Sequence, residues 1–271
     1  MYLSVLMTVY NGEQFLEESV VSVLESEFKD FEFVIVDDGS TDKTSEILKH
    51  LGGLDSRIKI LRNIHNLGIV NSKNLGLKYC TGKYIAMMDA DDISMPNRFS
   101  EQIIFMDMNP TISISGTSIL MFDSNSDKRV LKNCRTDNLE KFLLIENIFN
   151  HPTIILRHDD IKSDFFYYSS KYKFTEDYEL WTRVAYKLNF GNLDKPLLLY
   201  RYGDSATQNS SRKPIRRELE LIVIRTLFLI HILREGKIDF MCARMFLASF
   251  LKSSIPSISR VLLSSIKNKR I

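Results

Sequence analysis

The chain has little of what builds cross-linked, membrane-spanning or low-complexity proteins. Its three cysteines, Cys80, Cys134 and Cys242, are odd in number and widely spaced among 271 residues. They show no CxxC or Cys/His spacing, which argues against a disulfide framework and a zinc site and points to a reducing compartment, the cytoplasm. There is one tryptophan, with six prolines and eleven glycines and no Gly-rich linker or internal repeat. Long apolar runs are missing too. The most apolar late window, "LELIVIRTLFLIHIL" (219–233), is interrupted by Arg225 and His231 and is too short for a membrane span. The start, "MYLSVLMTVYNG", has no basic segment ahead of a long apolar one, so no signal peptide is expected.

What is present is a core-forming composition, 44% hydrophobic, with a formal net charge of only +2. That balance hides an asymmetry along the chain. Residues 212–271 carry 13 Lys/Arg against 4 Asp/Glu, a net of +9, and the first 211 residues are at −7. A basic tail of this kind suits an anionic membrane surface or nucleic acid, and a solvated helical face is the plainer alternative.

Short β-rich runs, "LSVLMTV" (3–9), "FEFVIV" (31–36), "RIKIL" (57–61) and "YIAMM" (84–88), alternate with helical patterns at 13–26, 42–51 and 70–80. Strict alternation implies right-handed crossovers and a parallel sheet covered on both faces, with ligands outside the carboxyl ends of the strands. The second half reads as a helix at 96–108, a strand at 112–122, a helix at 139–148, a strand at 151–157, a helix at 176–188 and a closing strand at 195–202. These later strands need not be parallel. Beyond about residue 213 the pattern is helical and basic.

The distinctive polar residues sit in the loops after the early strands. In "VIVDDGSTD", Asp38 follows a buried strand into the expected crevice, Gly39 allows a tight turn and Asp42 is placed to cap the next helix. In "KYIAMMDADD", an apolar run ends in Asp89, Asp91 and Asp92. Carboxylates separated by one residue at a strand end suit a hard divalent cation, Mg²⁺ or Mn²⁺, that in turn holds a diphosphate. Asp92 reads equally well as the start of the helix near Pro96.

These blocks, with "SVLMTVYNGEQFLEESVVSVLES", "RNIHNLGIVNSKNLGLKYCTGKY" and "EDYELW", resemble in order and spacing the inverting, nucleotide-sugar-dependent glycosyltransferases of family 2. Within that family the resemblance is to bacterial enzymes of capsule and O-antigen assembly, and it spans residues 2–202. It implies an α/β, Rossmann-like GT-A nucleotide-diphospho-sugar transferase fold with a mixed central sheet. A nucleotide-binding half (1–95) and an acceptor-binding half (96–211) are expected, followed by a basic helical C-terminal extension (212–271).

The resemblance also implies site residues. Thr8, Val9, Tyr10, Asn11 and Glu13 resemble the first nucleotide-binding loop, and Asp38 the carboxylate that contacts uracil. Asn71 and Lys73 fall where the family reads "xARNxG", with lysine in place of arginine, which keeps the charge and loses bidentate geometry. Asp89, Ala90 and Asp91 match the DxD segment, Asp89 near the ribose and Asp91 as the metal ligand. Asp177 resembles the catalytic base, with Glu176 beside it.

Sugar transfer makes the same demand on chemical grounds. The acceptor hydroxyl must lose its proton on one face of the anomeric carbon while the diphosphate is neutralised on the other, so two separate acidic sites are needed. A helix N-terminus keeps a carboxylate there ionised, and helix capping is the competing role. On the acceptor side, His151 resembles a family position or is structural beside Pro152, and Arg201 of the "YR" block could approach the diphosphate or form a structural salt bridge. Trp181, one turn beyond Asp177, could stack on a sugar or sit in the core. His65 and Asn66 read as turn formers.

The implied donor is a UDP-sugar, and the acceptor a saccharide on a lipid-diphosphate carrier, with no nucleic-acid partner. In the tail, Ile255, Ile258, Leu262 and Ile266 share one helical face and Arg260 and Lys267 tend to the other, compatible with peripheral contact at the inner membrane face or with packing on the catalytic domain. A receiver-like regulatory domain shares the acidic strand end, yet is shorter and needs neither "DADD" nor "EDYELW". A sugar nucleotidyltransferase would need a Gly-rich basic loop after the first strand. A non-catalytic glycosyltransferase homologue is the remaining alternative, against which both acidic sites are intact.

Overall fold

A computed structural model describes residues 1–123, 125, 128–162, 164–202 and 214–235. Cys242 and the amphipathic segment at 255–267 lie outside them. The first half alternates as expected: β1 (Leu3–Val9), α1 (Leu16–Leu24), β2 (Phe31–Asp37), α2 (Thr44–Leu54), β3 (Ile58–Arg62), α3 (Ile69–Tyr79) and β4 (Tyr84–Asp89). After β5 (Ile93–Ser94) and α4 (Arg98–Met108) come β6 (Ile114–Phe122), β7 (Arg129–Lys132), α5 (Leu139–Phe142), β8 (Ile155–Arg157) and α6 (His158–Ile161). The described chain ends with α7 (Glu176–Val184), β9 (Phe190–Arg201) and α8 (Pro214–Arg234).

Among the described residues one sheet runs β3-β2-β1-β4-β8-β6-β9-β5, with β7 on the outer edge of β6. Its first four strands are parallel, β8 is antiparallel to both β4 and β6, and β9 returns parallel to β6. The sheet is therefore mixed. Alternation along β1 sends Leu3, Val5, Met7 and Val9 to one face, where α1, α2 and α4 supply Leu16, Val20, Leu48, Phe99 and Met106. Leu6, with Val34, Val36, Ile85 and Met87, points to the other face, against Val70 of α3, Trp181 of α7 and Ile224 and Phe228 of α8. Each fully buried Leu, Val or Phe contributes about 1.5–3 kcal/mol, so two such layers hold the sheet rigidly beneath its loops.

Several expected boundaries shift for identifiable reasons. The helix expected at 139–148 stops at Phe142, because the carbonyls of Leu143 and Ile145 accept hydrogen bonds from the Tyr178 hydroxyl and Arg225 instead. The strand expected from His151 begins with a 3₁₀ turn at His151–Thr153. The closing strand starts at Phe190, earlier than expected, because β6 pairs along most of its length.

The pairing register aligns Thr8 with Asp89 and Val9 with Asp37, so the loops after β1, β2 and β4 open on one edge. Gly39 adopts φ +71°, and a Cβ there would lie 2.5 Å from the His65 backbone. That close approach packs the loop after β2 onto the loop after β3 and makes His65 a turn element, as expected. At the far end of the strands, Ser4, Lys59 and Thr81 all bond the buried carboxylate of Glu32. Burial would raise its pKa, and these partners instead hold it down at about 2.

Candidate active site

The carboxyl ends of β1, β2 and β4 form the floor of a cleft of about 1250 Å³. The cleft is lined by Thr8, Val9, Tyr10 and Asp38 after β1 and β2, by Asp89, Ala90 and Asp91 after β4, by Glu176 and Asp177 at the start of α7, and by Lys73, His151 and Tyr200. Residues from both halves of the chain thus converge, as the loop motifs required.

Four expected donor-side residues have their side chains engaged by the protein itself. Asn11, in the left-handed region at φ 50°, accepts a hydrogen bond from the Thr41 amide at 2.9 Å, and Glu13 accepts one from the Lys43 amide at 3.0 Å. They tie the first two loops together. Asn71 folds back onto the Leu67 carbonyl at 2.7 Å, leaving Ser72 and Lys73 as the cleft wall on that turn. Asp38 lines the cleft while its oxygens accept from Asn63 and the amides of Leu67 and Gly68. Asp42 lies one residue ahead of Lys43, the N-cap of α2, and accepts from the Thr44 amide at 3.0 Å, so it supports the start of that helix without being its cap.

Lys73 is the centre of the charge arrangement. It is 4% exposed, its Nζ lies 3.1 Å from Glu176 Oε1, and it sits 5.0 Å from the centroid of the Tyr168 ring. Burial opposes its charge, but Glu176, Asp89 and Asp177 outweigh burial and raise its pKa. Burial pushes the Asp89 carboxyl up to about 6; Lys73 works against the shift, and Asp91, Glu176 and Asp177 add to it. Asp177 is likewise raised by burial and by Glu176, with Lys73 and hydrogen bonds from the Tyr178 amide and Asn147 acting in the opposite sense. Asn147 Nδ2 donates to Asp177 Oδ2 at 2.7 Å.

The DxD segment has two chemically different parts. Asp89 and Asp91 face the cleft, a carboxylate pair that suits Mg²⁺ or Mn²⁺ with remaining ligands drawn from phosphate and water. No group of three or more His, Cys, Asp or Glu able to hold a metal converges among the described residues. Asp92 is 1% exposed and neither caps a helix nor enters the cleft. Its Oδ1 accepts the Arg201 amide at 2.9 Å, and its Oδ2 is buried without a partner in the structure. Burial, with Asp89 and Asp91 close by, raises its pKa well above the ordinary range.

Two acceptor-side expectations need correction. Trp181 is fully buried, edge-on to Phe149 with ring centroids 5.3 Å apart, so no face is open to stack on a sugar. α7 turns its apolar stripe inward at Trp181 while Asp177, at the helix mouth, stays in the cleft. Arg201 does not reach into the cleft either. Its Nε donates to the Asp91 carbonyl at 2.8 Å, it pairs with Glu18 at 2.5 Å, and it stacks on Phe15 and Phe122. It braces the acidic Asp89–Asp92 loop through that carbonyl.

His151 does line the cleft. Burial and the nearby Lys73 hold it well below its ordinary pKa, so it is neutral, and its Nε2 pairs with the Tyr168 hydroxyl at 3.1 Å. Tyr168 was not visible in the sequence, because "FFYYSS" carries no motif. The usable signal was Asn74 of "NSKNLG", whose side chain exchanges two 2.8 Å hydrogen bonds with the Tyr168 backbone. Arg98, also missed, is fully buried behind the acidic loop and donates to the carbonyls of Met87 and Pro152 at 2.7 Å.

Comparison with known proteins agrees with this geometry. The family model "Glycosyl transferase family 2" matches residues 4–187. The O-antigen biosynthesis glycosyltransferase WbnJ of Escherichia coli is 31% identical over 215 residues, covering 77% of this chain and 83% of its own. A UDP-Glc:alpha-D-GlcNAc-diphosphoundecaprenol beta-1,3-glucosyltransferase, WfgD, also of Escherichia coli, is 28% identical over 237 residues, 81% of this chain and 84% of its own. Residues 1–349 of S. aureus TarS in complex with UDP-GlcNAc superimpose with a TM-score of 0.72 at 19% identity, over 93% of this chain and 73% of that one. The chain, with its mixed sheet and acidic cleft in the GT-A arrangement, belongs to glycosyl transferase family 2.

Proposed function

We propose that the protein is an inverting, metal-assisted glycosyltransferase. It moves a sugar from a nucleoside-diphosphate donor, UDP-linked, to a saccharide on a lipid-diphosphate carrier during assembly of a bacterial surface polysaccharide such as O-antigen or capsule. The observation that carries this reading is the presence of two acidic sites from separate elements in one cleft, Asp89 with Asp91 after β4 and Asp177 with Glu176 at the start of α7. The relatives named above support the pathway and the lipid-diphosphate acceptor.

In this reading Thr8, Val9, Tyr10 and Asp38 receive the nucleoside, and Asn11 and Glu13 hold the two loops that form its pocket. Asp91 would hold the divalent cation directly, with Asp89 as its helper on the ribose side. Bound Mg²⁺ or Mn²⁺ would neutralise the charge that builds up on the departing diphosphate. Lys73 adds a fixed positive charge beside Asp89 and pairs with Glu176. Asp177 takes the proton from the acceptor hydroxyl as that oxygen attacks the anomeric carbon from the face opposite the diphosphate. Such a base contributes about 10²–10⁴-fold in rate. His151, neutral and fixed by Tyr168, offers a hydrogen bond on the acceptor side.

We assign residues 1–95 to donor binding, 96–211 to acceptor binding and 212–271 to the basic extension. The net charge of +9 in that extension supports peripheral contact with an anionic membrane at its cytoplasmic face. So does the outer side of α8, where Ile215, Leu219, Val223, Leu227 and Leu233 are exposed. Among the described residues no helix is long and apolar enough to cross a membrane. The test is a screen of nucleotide sugars for metal-dependent transfer onto synthetic lipid-diphosphate sugars; transfer without added metal, or none from any donor, would refute the reading.

A further inference from the structure

The cleft carries its charges unevenly. The donor end and the centre are acidic, with Asp38, Asp89, Asp91, Glu176 and Asp177, and the one lysine there, Lys73, is already paired with Glu176. The same cleft is also lined by Lys132 of β7, Lys173 just before α7, and Arg217 and Arg225 of α8, the first three of them exposed and so at its mouth. Three separate elements deliver these four cations. Arg225 is half-buried, donating to the Ile145 carbonyl and the Tyr178 hydroxyl, so its position is fixed. The side chains of Lys132, Lys173 and Arg217 make no ion pair among the described residues. Glu146 is the carboxylate lining this end, and it is engaged by Arg135 at 3.4 Å.

This mouth adjoins the base. Arg225 holds the carbonyl of Ile145, and two residues further Asn147 holds Asp177. An acceptor whose hydroxyl reaches Asp177 therefore places the rest of its structure towards the cations. A single sugar carboxylate would be satisfied by one arginine in a bidentate pair. Four cations from three elements match an anion with more charge and more oxygens, of the size of a diphosphate. In the proposed reading the donor diphosphate does not need them, because Asp89 and Asp91 would hold a divalent cation that neutralises it.

We propose that Lys132, Lys173, Arg217 and Arg225 form a second diphosphate site, which takes the diphosphate of the acceptor, independent of metal. This deepens the glycosyltransferase reading and rests on it. The site would explain how an enzyme with no stacking tryptophan in its cleft holds an acceptor, through the linkage to the carrier more than through the sugar. The chemistry recognised is a diphosphate, whether on a lipid carrier or free in solution.

The test is calorimetric titration of protein saturated with UDP and Mg²⁺, so that the donor site is filled. Farnesyl diphosphate, inorganic pyrophosphate and farnesol serve as probes, with Mg²⁺ matched in cell and syringe. Farnesyl diphosphate is expected to bind and farnesol is not. Lys173→Gln/Arg217→Gln, which changes two exposed side chains, should weaken farnesyl diphosphate by about tenfold or more, while its UDP affinity stays at the wild-type value. Pyrophosphate bound more weakly than farnesyl diphosphate assigns the site to a carrier-linked group; equal binding, with the same sensitivity to substitution, assigns it to diphosphate alone. Unchanged affinity in the variant, or binding seen only when UDP is omitted, overturns the proposal. Failure of the wild-type protein to bind UDP would count against the glycosyltransferase reading instead.

Discussion

Lys73 and Glu176 stand 103 residues apart in sequence and form a buried ion pair, Nζ to Oε1 at 3.1 Å, that joins α3 to the start of α7. It links the part of the cleft proposed to receive the nucleotide to the helix that carries Asp177. Removing one partner leaves a buried charge uncompensated. Lys73→Met should therefore destabilise the fold by about 3–5 kcal/mol in urea unfolding, and Lys73→Met/Glu176→Leu should recover much of that loss. Equal loss in the single and double variants would show that the pair itself contributes nothing.

Arg201 holds the loop proposed to bind metal, its side chain through the Asp91 carbonyl and its backbone amide through Asp92. Arg201→Leu is expected to weaken Mn²⁺ binding in the presence of UDP by about tenfold, the usual effect of losing a group that orients a ligand loop. Arg201→Lys should rescue little, because a lysine has no fork to serve both Asp91 and Glu18. Metal titration of the two variants decides the point.

Asp177 must be ionised to accept a proton, and burial together with Glu176 raises its pKa. The acid limb of kcat/KM should therefore lie above that of an ordinary aspartate, with activity lost as pH falls through the raised value. Asn147→Ala removes a hydrogen bond that stabilises the ionised form, so the limb should move further up in pH. A limb that moves down, or stays in place, would separate Asp177 from the essential base.

At the opposite end of the sheet, Glu32 has a pKa of about 2 in the fold against 4.5 in a free chain. Its depressed value means that its contribution is fully present above the unfolded pKa and is lost as pH falls through the folded one. Glu32→Gln should cost about 1–3 kcal/mol at neutral pH by disrupting the bonds of Lys59, Ser4 and Thr81. The gap between wild type and variant should close as pH falls from about 4.5 towards 2 in thermal unfolding series.

Much of this was legible in the chain because the signals were local. β1, β2 and β4 announce themselves by apolar runs, and the acids that follow them are fixed in place by the parallel register, so Asp38, Asp89 and Asp91 could be placed in one cleft. What could not be read depended on contacts between distant segments. β7 is four exposed residues, "RVLK", with no apolar pattern, and forms because β6 offers an edge. Trp181 and Asp177 share a helix face by spacing, yet the depth of burial changes within one turn. Arg201 lies at a strand end, where reaching the cleft and bracing a loop look alike until Phe15 and Phe122 are seen to enclose the guanidinium. The cations at the acceptor mouth come from β7, the segment before α7, and α8, which no sequence window spans.

The central claim is that Asp177 is the base and that donor binding is a separate function of the other wall. The most direct measurement compares wild type and Asp177→Asn for metal-dependent sugar transfer and, in parallel, for UDP affinity by calorimetry. Transfer is predicted to fall by about 10²–10⁴-fold with UDP affinity unchanged. Full transfer by Asp177→Asn, or loss of transfer accompanied by an equal loss of UDP binding, would contradict the assignment.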